Sequence, residues 1–178
     1  ALITGASSGI GRELARIHAA KGGDLVIVAR RREELEVLKE ELEKTYSMHV
    51  TVIAKDLSIP SAAQEIFEEI KAQNIPVEYL INNAGFGGHG FFHERDLAKD
   101  EAMIQVNILA LTSLTRLFLP DMIRRGSGRI LNVASAAAFL PGPLQAVYYA
   151  TKAYVLSFSQ AIAEELSGTG VTVTALCP

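Results

Sequence analysis

Short apolar runs alternate with longer amphipathic stretches along the whole chain. Ala1–Ile3 reads as the stub of a strand, followed by a loop over Thr4–Ser8. Ile10, Leu14, Ile17 and Ala20 recur at helical spacing and predict a helix over Gly9–Lys21. Asp24–Ala29 (DLVIVA) is a continuous β-branched run, the pattern of a strand covered on both faces. Leu35, Leu38 and Leu42 form one apolar stripe in the charged segment Arg31–Thr45, a second helix. Val50–Lys55 is a third strand, and Pro60 marks the approach to a helix reaching Gln73. Glu78–Ile81 is a fourth strand that ends in the loop Asn82–Gly90. A long helix over Asp100–Arg125, a strand over Arg129–Ala134, a helix over Tyr148–Leu166 and a strand over Val171–Leu176 complete the series. Strands joined by helical crossovers give a parallel sheet with helices on both faces. The expected fold is therefore α/β: three layers, doubly wound, with no linker that would divide residues 1–178 into two domains.

Composition narrows the function classes. The chain has 178 residues, 49% hydrophobic, enough for one sizeable core. Its 17 Lys+Arg against 20 Asp+Glu give a net charge of −3, which argues against a nucleic-acid partner. Cys177 is the single cysteine, so neither a disulfide framework nor a multi-thiolate metal site is expected, and a reducing, cytoplasmic compartment suits it. No uninterrupted run reaches the roughly 18 apolar residues of a membrane span; Asn107, Thr112, Arg116 and Ser157 break the longest stretches. Ala1 opens directly in a strand-like run without a basic leader or an initiator Met, so no signal peptide is expected and the chain reads as part of a longer protein. His89 and His93 have Glu94 and Asp96 nearby, but the Gly87-Gly88 and Gly90 context reads as a loop and no metal is expected.

The first strand-to-helix turn carries candidate chemistry. Gly5, Gly9 and Gly11, interleaved with Ser7, Ser8 and Ile10, let the backbone approach a ligand closely. The helix that follows offers free N–H groups and a positive dipole end to a pyrophosphate. No Lys-Ser/Thr pair follows the last glycine, which disfavours a nucleoside-triphosphate P-loop. A plain tight turn is the bland alternative.

TGASSGIG at 4–11, NNAG at 82–85, then Ser135 and Tyr148-x-x-x-Lys152, in that order, resemble the short-chain dehydrogenase/reductase family over the whole chain. The TGxxxGxG spacing is similar to its single-domain branch. The resemblance implies a Rossmann fold with strand order 3-2-1-4-5-6, and a final strand and substrate lid absent from this chain. It implies an NADP(H)-dependent carbonyl reductase or alcohol dehydrogenase acting on a small carbonyl or alcohol substrate. It also implies closeness to the hydroxysteroid and 3-ketoacyl reductase branch.

The second strand ends in Ala29-Arg30-Arg31-Arg32 without the acid that often holds a ribose 2′-OH. A 2′-phosphate suits a guanidinium fork, and the resemblance implies NADP(H) from a basic residue directly after Ala29, which singles out Arg30, with Arg31 secondary. The alternative is a solvated run paired with Glu33, Glu34 and Glu36. Asp56 matches a family position that bonds the adenine amino group, with Leu57 packing on the ring; otherwise Asp56 is a turn residue. Asn82 and Asn83-Ala84-Gly85 match the motif that steadies the sheet and lines the cofactor site.

Tyr148 and Lys152 lie four apart on one helical face, and no other tyrosine has a lysine four residues on. A free tyrosine has a pKa near 10, and an ammonium at ~4 Å favours the phenolate by about 4 kcal/mol at an effective dielectric of ~20. Lys152 is thus of the type and spacing to tune Tyr148 as a general acid/base; the resemblance also gives it the nicotinamide ribose. Ser135, just past the fifth strand, would bond the substrate carbonyl, or is a turn residue. Asn107 interrupts an apolar helix and needs a partner. The resemblance gives it backbone bonds and a water relaying protons to the lysine; the alternative is a buried structural Asn. The apolar loop 136–147 and segment 86–92 favour a hydrophobic ketone. The 100–125 helix is apolar on more than one face and must be covered on two sides; the resemblance implies that it and the 148–166 helix pack against a partner subunit, in a homodimer or homotetramer. Two rivals remain: a catalytically silent NADP-binding sensor, which the intact Ser135, Tyr148 and Lys152 disfavour, and a methyltransferase, which the arginine run disfavours.

Overall fold

The computed structural model describes residues 1–178. Six parallel strands, β1 (Leu2–Thr4), β2 (Leu25–Ala29), β3 (Val50–Ala54), β4 (Tyr79–Asn82), β5 (Gly128–Val133) and β6 (Val171–Leu176), form one sheet. Their order is β3-β2-β1-β4-β5-β6, as expected. The crossovers contain α1 (Gly9–Ala19), α2 (Arg32–Tyr46), α3 (Ala62–Ala72), α4 (Leu97–Ile104), α5 (Leu111–Arg125) and α6 (Ala146–Glu165).

Side chains on one strand alternate between two covered faces. Leu2, Val26, Val28, Leu80 and Ile130 pack with Ile66 and Ile70 of α3 and Leu114, Phe118 and Met122 of α5. Ile3, Leu25, Ile27 and Ile81 pack on the other face with Ala15 and Ala19 of α1 and Leu35, Leu38 and Leu42 of α2. This explains why β2 shows no hydrophobic alternation in sequence: its Leu25–Val28 core is buried throughout.

The direction of chain extension reverses at β1, which pairs with β2 on one side and β4 on the other. A crevice therefore opens beyond the carboxyl ends of β1 and β4, where such sheets bind ligands. Asn83 staples it: its Nδ2 donates to the Thr4 carbonyl at 2.9 Å and the Gly5 carbonyl at 3.2 Å. Thr4 Oγ1 in turn accepts from the Asn83 and Ala84 amides, each at 3.0 Å. Asn82 heads a buried polar chain, donating to Thr115 Oγ1 and Asn132 Oδ1, with Asn132 donating to Ser159.

Three features differ from the sequence expectation. The long helix is broken into α4 and α5 by a π-helical turn over Gln105–Ala110, centred near Asn107. Such turns arise where a side chain competes for the helical ladder and are frequent at functional sites. The 97–125 helical run also carries an 18-residue window of mean hydropathy 1.5, long and apolar enough by composition to cross a membrane despite Asn107, Thr112 and Arg116. In the fold, 44% of that window is buried, with Leu114, Phe118 and Met122 against the sheet. The final helix starts at Ala146, which puts Tyr148 inside its first turn.

Candidate active site

A cleft of about 510 Å³ runs along the carboxyl ends of the strands. At one end, Gly5, Ser7, Ser8 and Ile10 meet Arg30, Arg31, Asp56 and Leu57; at the other, Ser135 meets Tyr148 and Lys152; Asn83, Ala84 and Gly85 lie between. Gly9, Gly11 and Asn107 are not among its lining residues. Gly5 has φ +68°, and a side chain there would come within 2.9 Å of the Ala84 Cα. Gly11 serves packing: a Cβ would collide with the Gly5 carbonyl oxygen and Asn83 Nδ2. Ser8 caps α1 in extended backbone with no side-chain cap bond, so its hydroxyl and the first N–H groups of α1 stay free for an anion.

The arginine run divides. Arg32 pairs with Glu36 at 3.3 Å. Arg31 donates to Ser7 Oγ at 3.2 Å and lies 4.0 Å from Glu34, which Arg12 holds at 3.0 Å. Arg30 is exposed on the cleft and makes no ion pair. Asp56 closes a turn, its Oδ1 accepting from the Ser58 amide at 2.9 Å, and the residue also lines the cleft. Leu57 is largely absorbed by the core, 6% exposed, and offers only an edge to the cleft.

At the other end, Ser135 is extended at the end of β5 and caps a short 3₁₀ turn over Ala136–Phe139. Its Oγ accepts from the Ala137 amide at 3.2 Å, so its own O–H remains available to donate. The turn reading of Ser135 is therefore met without using up its O–H. Tyr148 is half-buried, its ring face beside Gly87, where a Cβ would lie 3.3 Å from Cδ2. Its phenol bonds no protein group. Lys152 is buried, 5% exposed, and donates to the Val133 carbonyl at 2.8 Å. Burial lowers its pKa to about 8. It reaches Tyr148 through space, 5.9 Å from the ring centroid, with no hydrogen bond to the phenol.

Asn107, 1% exposed, is fully partnered. Its Oδ1 accepts from the Phe86 amide at 3.1 Å, and its Nδ2 donates to the Phe86 carbonyl and to Thr151 Oγ1, both at 3.0 Å. Its amide thus bonds backbone and a threonine that the sequence reading did not single out. A second element missed from sequence is the pair Arg95–Asp100 at 2.5 Å, with Arg95 also donating to the His89 carbonyl at 3.0 Å. With Gly90 donating to the Leu144 carbonyl at 2.9 Å, it joins the two loops beside the cleft. Neither partner follows from helical spacing. No three His, Cys, Asp or Glu side chains converge on one point as a metal site would require.

The donor set suits a phosphorylated dinucleotide: free helix N–H groups at the glycine loop, an arginine without a counter-ion at one end, and a lysine with two unused donors at the other. The model of the short chain dehydrogenase family matches residues 1–178. A short chain dehydrogenase of Pseudocercospora fijiensis is 37% identical over 180 residues, covering 100% of this chain and 58% of that protein, so the chain spans little more than half of this relative. A Sphingobium yanoikuyae short-chain dehydrogenase solved with NADPH has a TM-score of 0.94 at 37% identity, covering 99% of this chain and 69% of the other. The bulky-bulky ketone specific alcohol dehydrogenase of Comamonas testosteroni also has a TM-score of 0.94, at 34% identity over 99% and 70% of the two chains. Motif order, strand order and full-length match agree: the chain belongs to the short-chain dehydrogenase/reductase family.

Proposed function

We propose that this chain forms the nucleotide-binding and catalytic part of an NADP(H)-dependent carbonyl reductase or alcohol dehydrogenase. One observation carries the reading: Ser135, Tyr148 and Lys152 open on the same cleft whose far end holds the unpaired Arg30. When bound, the nicotinamide supplies or accepts the hydride. Tyr148 trades a proton with the substrate oxygen, and the Ser135 O–H donates to that oxygen as charge develops on it. Lys152 keeps a positive charge near the phenol and turns its two spare donors to the ribose hydroxyls. Arg30, with Arg31, receives the 2′-phosphate, and Asp56 the adenine amino group. With NADPH the favoured direction is reduction.

The substrate is a hydrophobic ketone or secondary alcohol. Phe86 lines the cleft, and Phe139 and Leu140 stand 64% and 68% exposed on the turn after Ser135. The likeness to an alcohol dehydrogenase for bulky ketones supports the same class. The test is titration of NADPH fluorescence with the purified full-length protein, followed by NADPH oxidation over a ketone panel; absent binding, or no turnover with any ketone, overturns it. Within that experiment, Arg30→Ala is expected to weaken NADPH about 10–100-fold, as loss of a charge-assisted bond implies, and NADH less than about 2-fold. Equal weakening of both removes the 2′-phosphate assignment.

We also propose a homodimer or homotetramer through the α4–α5 and α6 faces. The π turn accounts for part of the apolar excess, since Met103, Val106 and Leu111 are buried. Ile104, Leu109 and Ile123 nevertheless stay 38–49% exposed. Tyr154 stacks on Phe158 and bonds Thr112 at 3.0 Å, joining α5 to α6 on one outer face. Light scattering should return a multiple of the monomer mass, reduced by Leu109→Glu; a wild-type monomer ends the proposal. A cytoplasmic location completes the reading, supported by the unpaired Cys177.

A further inference from the structure

Thr151 is 1% exposed and forms the junction of three segments. Its Oγ1 donates to the Tyr148 carbonyl at 2.7 Å and accepts from Asn107 Nδ2 at 3.0 Å. Back-bonding of a threonine to a carbonyl three residues earlier is a local habit of helices, of little consequence alone. The Asn107 contact changes its meaning. Both N–H groups of that amide are used, one on Phe86 and one on Thr151, while its oxygen holds the Phe86 amide. A continuous hydrogen-bonded chain, buried at its centre, thus runs from the Phe86 backbone through Asn107 and Thr151 to the Tyr148 carbonyl.

The chain closes around the tyrosine. Gly87, next to Phe86, lies against the Tyr148 ring, so one network holds both the backbone behind the ring and the segment in front of it. Gln145 at the N-cap makes no side-chain cap bond, so the first turn of α6 is held by this network together with the Lys152 bond to the Val133 carbonyl. Buried networks with every member partnered are rigid, and each unpaired member is costly. We propose that Thr151 is a positioning residue that fixes the Tyr148 phenol in the cleft by tying the first turn of α6 to the π-helical turn. The inference rests on reading Tyr148 as the acid/base.

Thr151→Val keeps the side-chain volume but strands one Asn107 N–H where no solvent reaches it. Thr151→Ser keeps the hydroxyl. A misplacement of about 1 Å at a reacting group can cost 10²-fold. The valine variant should therefore lose about 10–100-fold in kcat, with the KM for NADPH within about 3-fold and a shifted pH–rate profile; the serine variant should recover to within about 3-fold of wild type. Amide exchange over residues 146–152 of the nucleotide-free protein should quicken in the valine variant alone. In a Tyr148→Phe background the valine substitution should cost nothing further, since its effect passes through the phenol.

Four results are decisive. Wild-type kcat and pH profile for Thr151→Val, while Tyr148→Phe is inactive, overturn the inference and leave the acid/base reading standing. Equal losses from Thr151→Val in both backgrounds make Thr151 merely structural. Full turnover by Tyr148→Phe removes the acid/base reading and this inference with it. Should the valine variant not fold, Thr151→Ala takes its place, and unchanged amide exchange over 146–152 overturns the inference.

Discussion

Tyr148→Phe is expected to leave the fold and NADPH binding intact while lowering turnover about 10²–10⁴-fold, the usual contribution of a positioned general acid/base. The fold should survive because the lost hydroxyl bonds no protein group, so its removal strands no buried donor or acceptor. The phenyl ring keeps its place: it stands 6.1 Å from the Tyr149 ring in an edge-on arrangement and against Gly87. Turnover should fall because the cleft holds no equivalent proton source. The Ser135 hydroxyl can donate but titrates far from neutrality, and the Lys152 ammonium is turned to the Val133 carbonyl. Thermal unfolding, NADPH titration and steady-state rates on one preparation check all three parts. Near-normal turnover would exclude Tyr148 as the acid.

Lys152→Met is expected to abolish turnover yet raise stability at neutral pH. Burial lowers the Lys152 pKa from 10.5 to about 8, so the folded state disfavours the charged form. Below pH 8 both folded and unfolded chains carry the proton, and the penalty is fully present. Between pH 8 and 10.5 the folded protein releases it while the unfolded chain keeps it, so wild-type stability rises with pH. Above 10.5 both are neutral and the penalty is gone. A shift of this size corresponds to about 3 kcal/mol at the neutral plateau. Loss of the bond to Val133 offsets about 1 kcal/mol of that. Urea unfolding of both proteins from pH 7 to 10 should show the methionine variant ahead at pH 7 and its lead shrinking as pH rises. A lead that stays constant across that range would sink the claim.

What the sequence disclosed and what it concealed divide along a physical line. A parallel sheet with helices on both faces follows from strand–helix alternation, because periodicity is local and the crossover rule has few exceptions, whereas the strand order came with the resemblance. Tyr148 and Lys152 were legible because their relation is a spacing of four on one helix. Thr151 lies inside that motif yet gave no signal, since its partner Asn107 is 44 residues away and chosen by packing. Arg95 and Asp100 were hidden for a different reason: they are only five apart, but at a spacing that no regular element brings together. The π turn escaped because it departs from the helical period over a single turn. Arg30 could be set apart from Arg31 and Arg32 only by resemblance, until the geometry gave each neighbour a glutamate and left Arg30 with none.

That same turn has a consequence for the element containing it. A residue advances an α-helix by about 100°, so one surplus residue per turn rotates everything beyond it by roughly that angle. Val106 before the turn and Leu114, Phe118 and Met122 beyond it therefore share one core surface, although plain α-helical periodicity would set them about a third of a turn apart. The leading half of the same rod also borders the ligand crevice through Ala102 and Val106. Deleting any one residue from 105–110 would swing Leu114, Phe118 and Met122 about 100° off the sheet and uncover it.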